Sequence, residues 1–219
     1  MDQNFVGRIA RLASAPAEVF WRECFLRSAL TRQKSIKDMR TLGAAADACG
    51  RMYGIRSEGA RASQLSAENG LEVRELTIPE LPNMEIFALF EPPSDILVRA
   101  GLLSGCDRLV KESGMDAFLG DFCCVDVVLC HEFFHFLETR DSKTVFTRTY
   151  REPLGFLGRK VCLPPLAEIA AMGFAQEMLG LEWSPFLLDC VMLYANNMPS
   201  ALAMLERLER SAAECARSA

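Results

Sequence analysis

The stretch that most constrains this chain is His131-Glu132-Phe133-Phe134-His135, set in an almost unbroken apolar run from Phe122 to Leu137. Helical positions i and i+4 lie on one face, about one turn apart. Two imidazoles at that spacing can share one metal ion, and the carboxylate of the Glu that follows the first can reach a metal-activated water. The chain has two histidines, and both are here. Within the apolar run only Asp126, His131, Glu132 and His135 are polar. A helix apolar on most sides is expected to be central and buried. Its charges argue against a membrane span. Polar groups so placed are costly without partners, and a metal would be one. Asp121, after Gly120, is the expected N-cap.

A catalytic zinc usually takes three protein ligands and keeps a position for water. With no third histidine, the third ligand is a carboxylate, a Cys or none at all. Glu138 shares the histidine face but stands about 7 Å along the axis from the level of Phe133, which suits a hydrogen bond to a ligand better than ligation. Cys124 is on that face too, but about 10 Å from His131 along the axis. Cys130 points elsewhere, and buried cysteines commonly act as small hydrophobes. Glu168 opens a separate helix, where its charge also suits the dipole. That helix carries Ala167, Ala170, Ala171, Gly173 and Ala175, which would allow close helix approach. Ligation by Glu168 and a purely dipolar role both remain open on these grounds.

The remaining elements follow from local signals. Phe5, Ile9 and Leu12 mark a first helix. Pro16 restarts a second, reaching about Arg32. Ser35 caps a third, whose apolar stripe is Ile36, Met39, Leu42, Ala46 and Cys49. Residues 55–70 read as a connection or weak helix. Leu71–Leu76, Glu85–Phe90 and Asp95–Arg99 read as strands, the first half-buried, with Pro79 and Pro82 ending it and Glu91–Ser94 turning between the others. Their short spacing predicts a small, mainly antiparallel sheet. A helix over 101–113 precedes the central one. Thr139–Gly158 is a polar, turn-rich segment able to form a cleft wall. Helices starting at Leu163, Trp183 and Met198 close the chain, the last fraying from Ser211. The fold class is therefore α+β and mostly helical, with the sheet beside the central helix.

Half of the residues are hydrophobic and 24 % charged, enough for a sizeable core. The net charge of −5 argues against direct nucleic-acid binding. Nine cysteines, an odd number, suit a reducing compartment rather than a disulfide framework. The first thirty residues lack a continuous apolar segment, so a cytoplasmic location is expected.

The segment Glu168-Ile169-Ala170-Ala171-Met172-Gly173-Phe174-Ala175-Gln176-Glu177-Met178-Leu179 resembles the E-x-x-A-x-x-F-A-x-x-L-L segment that follows HExxH in ImmA/IrrE-type metallopeptidases, the small gluzincins. Glu168, Ala171, Phe174, Ala175 and Leu179 match, and Met178 replaces the first Leu. The likeness covers about residues 71–181. It implies a minimal zincin-like domain over 66–181, after a helical part over 1–65 and before helices at 182–219 packing on the same core. It further implies a zinc ion held by His131, His135 and Glu168, with Glu132 as general base in peptide-bond hydrolysis. The substrate would be a protein or peptide, and action through a transcription regulator is an implied partner role. Phe134 stands where many members have Gly. For the oxyanion donor, Tyr150 is the favoured tyrosine among Tyr53, Tyr150 and Tyr194, against an ordinary surface or packing role for it. Two other outcomes stay open: a non-catalytic regulatory protein stapled by zinc, and a metal-free helical protein.

Overall fold

In the computed structural model the described residues are 3–57, 61–76, 86–154 and 159–218. The protein is mostly helical, with a three-stranded sheet and a separate hairpin. Three helices lead: α1 (Gln3–Ala13), α2 (Glu18–Arg27) and α3 (Ile36–Ile55). Phe5, Ile9 and Leu12 are the buried face of α1, as their spacing requires. The second helix ends earlier than its pattern suggests. Ser28 turns to an extended conformation, and the Thr31 hydroxyl donates to the carbonyl of Phe25 at 2.7 Å, closing that end. Ser35 caps α3, accepting from the Asp38 N–H at 3.1 Å.

A short α4 (Ala62–Glu68) leads into β1 (Glu72–Glu75), followed by β2 (Ala88–Glu91), β3 (Asp95–Val98), α5 (Ala100–Ser113) and α6 (Asp116–Leu119). The sheet order is β1-β3-β2, with β2 antiparallel and β1 parallel to β3. The three expected strands are present, but β1 crosses to the far side of β3. It is exposed along its length rather than half-buried. The central helix packs on β2 and β3 and leaves β1 at the uncovered edge. Pro79, Pro82 and Glu85 lie outside the described residues.

That central helix is α7 (Cys124–Arg140), which carries both histidines. Asp121 is not its cap. The first N–H, of Cys124, donates to Asp107 Oδ1 of α5 at 2.8 Å, so a carboxylate distant in sequence satisfies the helix end. The polar segment beyond contains α8 (Phe146–Thr149) and, where turn-rich sequence predicts a loop, an antiparallel hairpin, β4 (Glu152–Leu154) with β5 (Arg159–Val161). The chain ends with α9 (Pro164–Leu179), α10 (Phe186–Asn196) and α11 (Met198–Arg217). Gly114 and Gly180 stop α5 and α9 in the left-handed conformation, with φ of 73° and 60°. The last helix does not fray at Ser211. Ser211 and Cys215 are buried, and Arg22 of α2 holds Ser211 and Glu214.

One hydrophobic core runs from Phe5 to Cys215 and includes most of α7 and α9. The most extensive helix pairing is α3 with α9, followed by α7 with α9. Gly50 and Gly173 permit the first. A Cβ at Gly50 would lie 1.9 Å from the Ala170 carbonyl oxygen, and one at Gly173 would lie 2.9 Å from that of Asp47. So α9 is wedged between α3 and α7, which fixes the position of its first turn. All nine cysteines are free. No described helix is long and apolar enough to cross a membrane.

Candidate metal centre

The first turn of α9 brings Glu168 against the histidine face of α7. His131 Nε2 and His135 Nε2 are 3.1 Å apart. Glu168 Oε2 lies 3.3 Å from the first and Oε1 lies 3.6 Å from the second. One ligand atom from each of the three residues falls within 4.8 Å of the others. Metal–ligand bonds of 2.0–2.1 Å in tetrahedral array require donor separations of about 3.3 Å. The nitrogen and oxygen donors therefore match a zinc site in both chemistry and spacing. Neither Cys124 nor Cys130 belongs to this group, and both are fully buried.

The three side chains also hold one another electrostatically. Burial disfavours a charged His131, but the hydrogen bond and charge of Glu168, then the charges of Glu132 and Asp189, outweigh it and raise the imidazole to about 9. Burial likewise opposes ionisation of Glu168. His131, followed by the charges of His135 and Arg27, prevails and lowers it to about 2. The Glu168 side chain is 48 % exposed and lines a cleft.

Glu132 is 8 % exposed, and its Oε2 accepts the Phe90 N–H at 2.7 Å. That bond ties α7 to the outer strand of the sheet. Glu138 is 1 % exposed. Its Oε2 lies 3.7 Å from His135 Nδ1 and 3.0 Å from an Arg148 nitrogen, while Oε1 accepts the Thr147 hydroxyl. Burial pushes its carboxyl up, but His135, Thr147 and Arg148 together hold it below the usual range. Glu138 thus stands behind a ligand rather than beside the donor cluster.

The cleft is about 480 Å³. Ile86–Phe90 and Pro92 form one wall, α7 the floor, and Met172, Pro185, Leu188, Asp189 and Met192 the opposite wall. Thr139 and Arg148 line it as well. The Thr139 hydroxyl donates to the carbonyl of His135 at 2.9 Å. Tyr150 does not line the cleft. Its hydroxyl donates to Glu152 at 2.6 Å, and burial together with that carboxylate raises it to about 12. Arg148 is the one Lys or Arg among the described lining residues. Sequence reasoning placed it only in a polar segment. Asp189 was passed over, although it is the sole charge in the apolar run Phe186–Leu193.

Compared with protein-family models, curated proteins and solved structures, the chain gives no match.

Proposed function

We propose that this protein is a zinc-dependent peptidase of the small gluzincin kind, similar to the ImmA/IrrE type. The observation that carries the reading is the convergence of His131, His135 and Glu168 at the floor of an open cleft, with Glu132 beside them. A structural zinc is closed off by its ligands, whereas a catalytic one needs access. The exposure of Glu168 to the cleft favours the catalytic alternative over a regulatory protein stapled by metal.

Zinc held by His131, His135 and Glu168 would supply Lewis acidity to the scissile carbonyl and to water. The Phe90 N–H fixes one oxygen of Glu132 and leaves the other to take a proton from water and pass it to the leaving amine. The β2 strand is at the sheet edge. Phe87 accepts from Arg99 of the β3 side, so the backbone groups of Ala88 and the carbonyl of Phe90 point away from β3, the Phe90 N–H being taken by Glu132. An extended peptide can lie along that edge. Arg148, not Tyr150, is the cation that lines the cleft, and a developing oxyanion would share it with Glu138. Nine free thiols suit a cytoplasmic enzyme.

The test combines elemental analysis with digestion of a peptide library. About one zinc per chain is expected, with cleavage lost in Glu132→Gln. Undiminished activity in that variant would overturn the mechanism.

A further inference from the structure

One face of α10 forms a wall of the cleft. Pro185, Leu188, Asp189 and Met192 fall at i, i+3, i+4 and i+7, and all four line it. Asp189 is the only polar member of that stripe. It is half-buried and makes no hydrogen bond or ion pair with a described residue. The charged groups that act on it are Arg27, His131 and Glu168. Arg27 is exposed on α2 and is not a lining residue, His131 belongs to the donor cluster, and Glu168 repels. Arg148, the one Arg among the described lining residues, is paired with Glu138. The α10 wall therefore presents a carboxylate with no hydrogen-bonded or ion-paired partner among the described residues, between two apolar side chains.

A carboxylate among apolar groups is costly unless something answers it. A lysine or arginine side chain fits such a wall, its aliphatic stem against Leu188 and Met192 and its charge at the carboxylate. We propose that Asp189 is a specificity residue that receives an ammonium or guanidinium group of the substrate beside the scissile bond. This rests on the peptidase reading for the identity of the ligand as a peptide. Either a basic side chain or a free α-amino group supplies the chemistry.

The test uses binding rather than turnover. The zinc-loaded full chain is titrated calorimetrically with Nα-acetylated lysine, norleucine and glutamate hydroxamates, and with norleucine hydroxamate bearing a free α-amine. A charge-assisted hydrogen bond is worth about ten- to hundredfold in affinity. The expected result is that margin for acetyl-lysine hydroxamate, or for the free-amine compound, over acetyl-norleucine hydroxamate, with the glutamate compound weakest. Which compound gains distinguishes side chain from α-amine. In Asp189→Asn the margin falls to about twofold or less, with zinc content unchanged, and Asp189→Glu retains part of it. Equal affinities in the wild type, no binding of any compound, or a margin that persists in Asp189→Asn would each overturn the assignment. So would loss of zinc from Asp189→Asn, since Asp189 would then act by orienting His131, whose buried Nδ1 has no hydrogen-bond partner. A margin that depends on Asp189 without any peptide hydrolysis would refute the enzyme and leave the cation site standing.

Discussion

The backbone N–H of Phe90 donates to Glu132 Oε2 at 2.7 Å, although the two residues are 42 positions apart. This bond makes the general base a structural tie between α7 and the cleft-lining strand. Two substitutions of Glu132 should therefore differ. Gln keeps a carbonyl oxygen for Phe90 but cannot take a proton, so hydrolysis should fall about 10²–10⁴-fold while stability and zinc content hold. Ala leaves the Phe90 N–H unanswered in a buried place, at a cost of about 1–3 kcal/mol. Urea denaturation of the two variants, both loaded with zinc, checks this. Equal stabilities would show that the tie carries no weight.

Glu168 and Glu138 both contact the histidines, but from different sides. Glu168 meets the two Nε2 atoms, and Glu138 faces His135 Nδ1. Glu168→Ala removes a donor and should abolish stoichiometric zinc. Glu138→Gln should keep the metal but weaken it about 10–100-fold, as loss of a ligand's supporting partner does. Competition with a chelating dye reads both affinities. Zinc bound equally well by Glu168→Ala would remove that residue from the ligand set.

The His131–Glu168 pair gives metal-stripped protein a two-sided pH dependence. His131 is raised from 6.5 to about 9, so its contribution is complete below about 6.5 and lost as pH rises through 9. Glu168 is lowered from 4.5 to about 2, so its contribution is complete above about 4.5 and lost as pH falls through 2. Their joint contribution is largest between those limits, at pH 4.5–6.5. Thermal melts of stripped wild type and Glu168→Gln should diverge most in that window and converge on both sides. Zinc binding at pH 7 must also displace the His131 proton, releasing about one proton per ion, which calorimetry in buffers of different ionisation enthalpy measures. A flat difference between the melts, or no proton release, would contradict the pairing.

What the sequence made legible was local. The i, i+4 histidines, the Ser35 cap and the stops at Gly114 and Gly180 each depend on a few neighbouring residues, and each is found where the pattern puts it. What escaped depends on partners distant in the chain. Asp107 caps α7 across 17 positions. The crossing of β1 to the far side of β3 cannot be read from either strand. The β4–β5 hairpin is only three residues a side, too short for a periodic signal. Asp189 was visible as a lone charge in an apolar helix, but its place in the cleft needed the packing of α10.

The small residues of α9 illustrate the same limit and lead to a further prediction. They signal close helix approach, yet α9 is in closest contact with α3, whose Gly50 and Gly54 face it and carry no such signal in the sequence pattern. In an open helix, Gly→Ala stabilises by up to about 1 kcal/mol. At Gly50 the added Cβ would meet the Ala170 carbonyl oxygen at 1.9 Å and the Phe174 nitrogen at 2.9 Å. Both are backbone atoms, which no rotamer change can relieve. Gly50→Ala should therefore destabilise by about 1–3 kcal/mol or more. Ala170 is two residues from Glu168, so displacing α9 should also carry the third ligand away from α7 and weaken zinc binding. Gly105→Ala is the control. That helical glycine has no neighbour within 4 Å of the added carbon and should be neutral or slightly stabilising, with zinc affinity unchanged. Urea denaturation and zinc competition on both variants decide the matter. If Gly50→Ala were as stable and as tightly metalated as Gly105→Ala, the wedging of α9 against α3 would not be what places Glu168.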